Sequence, residues 1–168
     1  DRNWNYISGT EIDATAGSTY KIYATPIPSI AELAATFASS DETLATVDAE
    51  GNVTFLNKAG KVDITVTSNG TTKKVTFNVS NPATSITVPE GKETIELSIG
   101  DAYKEVEVTI APADATSTYT ITAADVTICQ LDFTGGKIQI VPLKVGTTTV
   151  TLVADDNTNA TLTITVVI

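Results

Sequence analysis

The groups that could do chemistry in this chain are few and scattered. Among 168 residues there is no His and a single Cys. Without His there is no Ser-His-Asp or Cys-His catalysis, no His-containing zinc site and no His-based pH switch. Cys129 has no second Cys to pair with and no Lys, Arg or His close in sequence to lower its thiol pKa. It reads as a small buried apolar residue, not as a nucleophile or a ligand.

Carboxylates are the commoner candidates. Glu105 and Glu107 alternate with Val106 and Val108, which places both on one wet strand face at a spacing of roughly 7 Å. Some glycosidase pairs share that spacing, but their two carboxyls flank a cleft, so no catalytic pair is assigned here. Asp155-Asp156-Asn157-Thr158-Asn159 is the one oxygen-rich loop. Asp155, Asp156 and Asn157 could give calcium three oxygens, yet the loop lacks the acidic spacing and distant Glu of a dedicated site. Asn and Asp also favour hairpin turns on their own account, and the turn reading comes first. Trp4 and Tyr6 share one face at the N-terminus. They could stack on a sugar ring, as could an exposed Tyr23, or they could simply anchor the first strand. Four Asn-x-Ser/Thr matches, at Asn52, Asn69, Asn78 and Asn159, carry little weight in so Thr-rich a chain. No cofactor and no enzymatic activity are expected.

The elements that hold these residues are strands. Thirty-one residues are Thr, and Val and Ile are abundant. β-Branched side chains suit a pleated, half-buried surface. Apolar residues alternate at Tyr20-Ile22-Ala24, Val62-Ile64-Val66, Val75-Phe77-Val79, Val106-Val108-Ile110, Val150-Leu152 and Leu162-Ile164-Val166, with polar residues between them. Asn69-Gly70, Gly135-Gly136 and Glu50-Gly51-Asn52 supply turns. Helical spacing occurs only over Ser29 to Thr36, too briefly for more than a turn. The class is all-β.

Ten basic against twenty acidic residues give a net charge of −10. Nucleic acid and anionic lipid are therefore poor partners. No stretch approaches the roughly 18 apolar residues of a membrane helix, so no membrane insertion of this segment is expected. The sequence opens at Asp1 and not at an initiator Met, and the segment is expected to be a mature or truncated piece of a longer chain with other domains.

Self-comparison reveals a repeat. Phe37–Asp48 lies over Ile121–Asp132 at a shift of 84, and Glu11–Gly17 over Thr94–Gly100 at 83. Gly51–Phe55 matches Gly136–Ile140 at 85, Lys58–Thr65 matches Lys144–Thr151 at 86, and Val75–Val79 matches Leu162–Val166 at 87. Two copies, 1–80 and 82–168, follow, joined near Ser80-Asn81-Pro82. About seven short strands in each suit an Ig-like sandwich.

The residues also resemble a family. Ser39-Ser40-Asp41 through Leu44-Ala45-Thr46-Val47-Asp48, then Gly51-x-Val53 and Lys58-Ala59-Gly60 before Ile64-Thr65-Val66, are similar to the bacterial Ig-like domain, group 2. Phe37 stands where that family usually has Trp. The second copy is divergent, with Cys129-Gln130-Leu131 for Ala45-Thr46-Val47. The resemblance implies two tandem Ig-like β-sandwiches and carries over no active-site residue. It further implies a non-catalytic bacterial cell-surface or secreted module, extracellular, with an adhesion or spacer role. Its partner would be an unknown host or bacterial surface protein or glycan, and the alternative is a carbohydrate-binding module using Trp4 and Tyr6. Pro82 restricts the junction, so a spacer would be expected to hold its two copies end to end.

Overall fold

A computed structural model describes residues 9–24, 35–68 and 70–168. Sixteen strands follow one another. They are β1 (Glu11–Thr15), β2 (Thr19–Lys21), β3 (Thr36–Ser39), β4 (Ala45–Val47), β5 (Asn52–Phe55), β6 (Gly60–Ser68), β7 (Thr71–Ser80) and β8 (Ser85–Thr87). The rest are β9 (Thr94–Glu96), β10 (Lys104–Glu107), β11 (Thr109–Ala111), β12 (Tyr119–Ala123), β13 (Cys129–Thr134), β14 (Lys137–Pro142), β15 (Thr147–Ala154) and β16 (Asn157–Val167). The chain divides into two compact units, Asp1–Asn81 and Pro82–Ile168.

In the first unit a four-stranded sheet, β1-β7-β6-β3, faces a three-stranded one, β2-β5-β4. β1 joins β7 in parallel, and the remaining pairs are antiparallel. Residues spaced by two supply one core: Val62 and Ile64, Val75, Phe77 and Val79, Val53 and Phe55 are all buried. Phe77 takes the rings of Tyr20 and Phe55 edge-on, at centroid distances of 5.1 and 5.0 Å. Such pairs add to the burial of the rings themselves.

The second unit repeats the plan, with β12-β15-β16-β9 facing β10-β14-β13. β9 again runs parallel to the last strand. Its own core collects Ile138, Ile140, Val150, Leu152, Ile164 and Val166. The expected seven strands become nine. The first strand is split by Pro89, whose missing N–H cannot continue a ladder. β8 therefore pairs with β11 and β9 with β16.

The turns follow local chemistry. Ser68 faces Thr71 across Asn69-Gly70, and Thr134 faces Lys137 across Gly135-Gly136. Both residues of the latter pair have positive φ, 60° and 76°, as a tight hairpin with right-handed strand twist demands.

Three expectations need correction. β2 ends at Lys21 and Ala24 is exposed, so the alternation from Tyr20 stops at Ile22. The repeat shift at the last strand is 89, not 87: Ile64 faces Val75 while Val150 faces Ile164. Likewise Ala45 faces Phe55 while Cys129 faces Pro142, which makes the fifth-strand shift 87. Both hairpins of the second copy are longer, and a two-residue slip leaves every side chain on its original face. The helical spacing over 29–36 lies outside the described residues except at its end, where Thr36 opens β3.

Candidate functional site

The motif shared by the two copies is spent on architecture. Asp41 Oδ1 accepts bonds from the N–H and the hydroxyl of Thr43, at 2.9 and 2.6 Å. Asp125 does the same with Thr127, at 2.9 and 2.7 Å. The threonine hydroxyl is the main reason each carboxyl is held below its ordinary range. Ser40 Oγ accepts the N–H of Asp63, and Leu44 and Ala45 are buried. Asp48 accepts the side-chain amide and the N–H of Asn52, closing the turn at Gly51. These positions cap turns and fill the core.

Asp155 and Asp156 form the two-residue turn between β15 and β16, with Ala154 facing Asn157. The Asp155 carboxylate accepts hydroxyls from Thr120 and Thr118 at 2.7 and 2.8 Å, which holds its pKa down, Thr120 contributing most. Asn157 donates its side-chain amide to the Ala83 carbonyl at 2.8 Å, tying the start of the unit to this turn. Asp155 and Asn157 are thus engaged with the protein itself, while Asp156 is exposed. Among the described residues no three His, Cys, Asp or Glu side chains gather into a metal-sized group.

Glu105 and Glu107 are exposed on β10. Glu105 accepts Lys137 at 3.0 Å and Gln139 at 3.2 Å, and Lys137 is the main cause of its lowered pKa. Cys129 is buried as a free thiol, and burial pushes its pKa up. It occupies the place of Ala45, which is buried too. Trp4 and Tyr6 lie outside the described residues. Tyr23 is 69% exposed, with the Lys21 ammonium 5.9 Å from its ring centre.

Two surface features were hidden in the sequence because they depend on cross-strand neighbours. The outer face of β12-β15-β16-β9 is paved with threonine: Thr122, Thr151 and Thr163 stand in one row, and Thr149, Thr165 and Thr94 in the next. The first unit places Asp63, Lys74 and Glu11 at the positions of Thr149, Thr163 and Thr94. There Lys74 pairs with Asp63 and Lys61 with Glu11. One face is thus cross-linked by ion pairs, while its counterpart presents hydroxyls in these two rows and one carboxylate, Glu96, on the edge strand β9. The second feature is an apolar end: Val126, Leu143 and Val145 are more than half exposed on adjoining turns, tied by the Leu143 N–H to the Ile128 carbonyl.

Two facing sheets closed on one core, with an early strand paired in parallel to the last, define an Ig-like β-sandwich, built twice. The first unit belongs to the bacterial Ig-like domain family, group 2, which matches residues 6–79. No curated protein sequence matches the chain. Among solved structures, the FdeC adhesin of Escherichia coli superposes with a TM-score of 0.53 at 14% identity, covering 92% of this chain and 61% of that one. The I67–I69 fragment of the titin I-band superposes with a TM-score of 0.50 at 11% identity, covering 94% and 61%. These likenesses are of fold. No helix among the described residues is long and apolar enough to cross a membrane.

Proposed function

We propose that the chain is a non-catalytic structural and adhesive module of a bacterial surface or secreted protein, working outside the cell. The observation that carries this reading is the contrast between the two outer faces. Carboxylates and lysines on the first unit are bonded to one another, while the second unit, which holds eleven acids and four bases, turns two rows of threonine outward at the matching place, with Glu96 and Asp155 only at the borders. A neutral hydroxyl surface on an acidic unit suits contact with a neutral partner, protein or glycan, because no ion has to be stripped of water there. The remaining surface charge keeps such a module soluble.

Glycan recognition through Trp4, Tyr6 or Tyr23 is the second reading, favoured by the exposure of the Tyr23 ring. Antibodies against residues 82–168 should label intact cells of the source organism, and labelling only after lysis would overturn the surface assignment. On glycan arrays the chain should show no sugar binding that depends on Trp4. Binding abolished by Trp4→Ala would put the second reading first.

A further inference from the structure

The second unit holds a groove of about 340 Å³ beside β10. Its floor is Ile95 and Val106, both buried, with Pro89 at one side. Strand register explains the opening. In the first unit this place is filled by the Tyr20 ring lying edge-on against Phe77. Pairing with the neighbouring strands puts Lys104 where Tyr20 stands and Val166 where Phe77 stands. Two rings are replaced by an outward-reaching lysine and a valine, and the space between β9 and β10 is left open.

The groove runs along a free strand edge. Among the described residues β10 is paired with β14 on one side only, because β8 reaches no further than Thr109–Ala111 before the chain turns away at Pro89-Glu90-Gly91-Lys92. The Val108 N–H donates to Gly136 at 2.9 Å, so even-numbered residues of this strand turn their peptide groups toward β14. The backbone N–H and C=O of Glu105 and Glu107 therefore face outward, the arrangement that accepts an added strand.

Charge selects among possible strands. The unit has four basic residues, and three of them, Lys92, Lys104 and Lys137, line this groove. Lys137 is held by Glu105, whereas Lys92 and Lys104 form no ion pair among the described residues. Two uncommitted ammonium groups thus stand against one uncommitted lining carboxylate, Glu107.

We propose that this groove binds an extended acidic peptide segment, which adds as a strand to the free edge of β10 and sets its carboxylates against Lys92 and Lys104. The proposal stands apart from the surface role above, since it concerns what the groove takes and not where the protein works. It is tested by titrating the ¹⁵N-labelled chain with a short peptide alternating Asp with Val, followed by amide shifts and hydrogen exchange. The Glu105 and Glu107 amides should shift and become protected, and the same peptide with Lys for Asp should bind about fivefold more weakly, as two exposed charge pairs allow. In the K92E/K104E double variant, whose amide spectrum reports that it is folded, the order of the two peptides should reverse. Equal binding of both peptides, undiminished binding of a backbone N-methylated peptide, shifts confined to other surfaces, or no shifts at all would overturn it.

Discussion

Replacing Gly51 by Ala isolates how much of the first unit rests on one tight approach. Gly51 has φ +81°, and a Cβ there would lie 2.6 Å from the Ile22 carbonyl oxygen and 2.8 Å from the Phe37 ring. The ring can swing aside. The carbonyl cannot, because Ile22 and Gly51 are already joined by the bond from the Ile22 N–H to the Gly51 carbonyl at 2.9 Å. The left-handed conformation alone costs an alanine about 1 kcal/mol. Relieving the contact by parting this end of β2 from β5 adds about 1–2 kcal/mol in a lost hydrogen bond and loosened packing. Gly70 is the control: its φ is +73°, and a Cβ there would meet nothing within 4 Å. Gly70→Ala should therefore cost about 1 kcal/mol, and Gly51→Ala about 2–3 kcal/mol. Urea unfolding with a slope of about 1 kcal/mol/M would show the first unit's midpoint falling by about 1 M and about 2–3 M respectively. Equal midpoints for the two variants would refute the steric argument and leave only the backbone conformation.

Other perturbations test other parts. On acidification, stability should hold to about pH 4 and then fall. Asp41, Asp48, Asp63, Asp125 and Asp155 all have folded pKa values lowered, so their contribution is present above the unfolded carboxyl range and is lost as pH drops through the folded values. A melting temperature flat to pH 2 would contradict this. Cys129 should react slowly with a thiol reagent in the native state and quickly in denaturant, and Cys129→Ala should cost on the order of 1 kcal/mol. Fast native labelling would place the thiol at the surface. Millimolar calcium should move the melting temperature little, because Asp155 is already bonded to Thr118 and Thr120. A rise of several degrees abolished by Asp155→Ala and Asp156→Ala would establish a calcium site instead.

Much of the architecture was legible because it is local. Val62 and Ile64, Leu162 and Ile164 announce their inner face by period two, and Asn69-Gly70 and Gly135-Gly136 announce their hairpins by the φ they permit. The Ser40-Asp41 to Gly51 motif was legible because its side chains bond within their own turn. What stayed hidden needs register between distant strands. A slip of two residues in β16 keeps Leu162, Ile164 and Val166 facing inward, so sequence matching alone could not reveal that Phe77 corresponds to Val166 and not to Ile164. The threonine rows and the groove beside Lys104 both depend on cross-strand register. Each threonine was visible singly, but their assembly into rows was not.

The account rests on two self-contained sandwiches, each closed around its own core. The direct measurement is to express residues 1–81 and 82–168 separately and overlay their ¹⁵N–¹H spectra on that of the whole chain. Each half should give dispersed amide signals that coincide with its share of the full spectrum, apart from residues next to the cut. If either half is collapsed in its spectrum while the intact chain is folded, the units depend on each other and the description of two separate Ig-like modules is wrong.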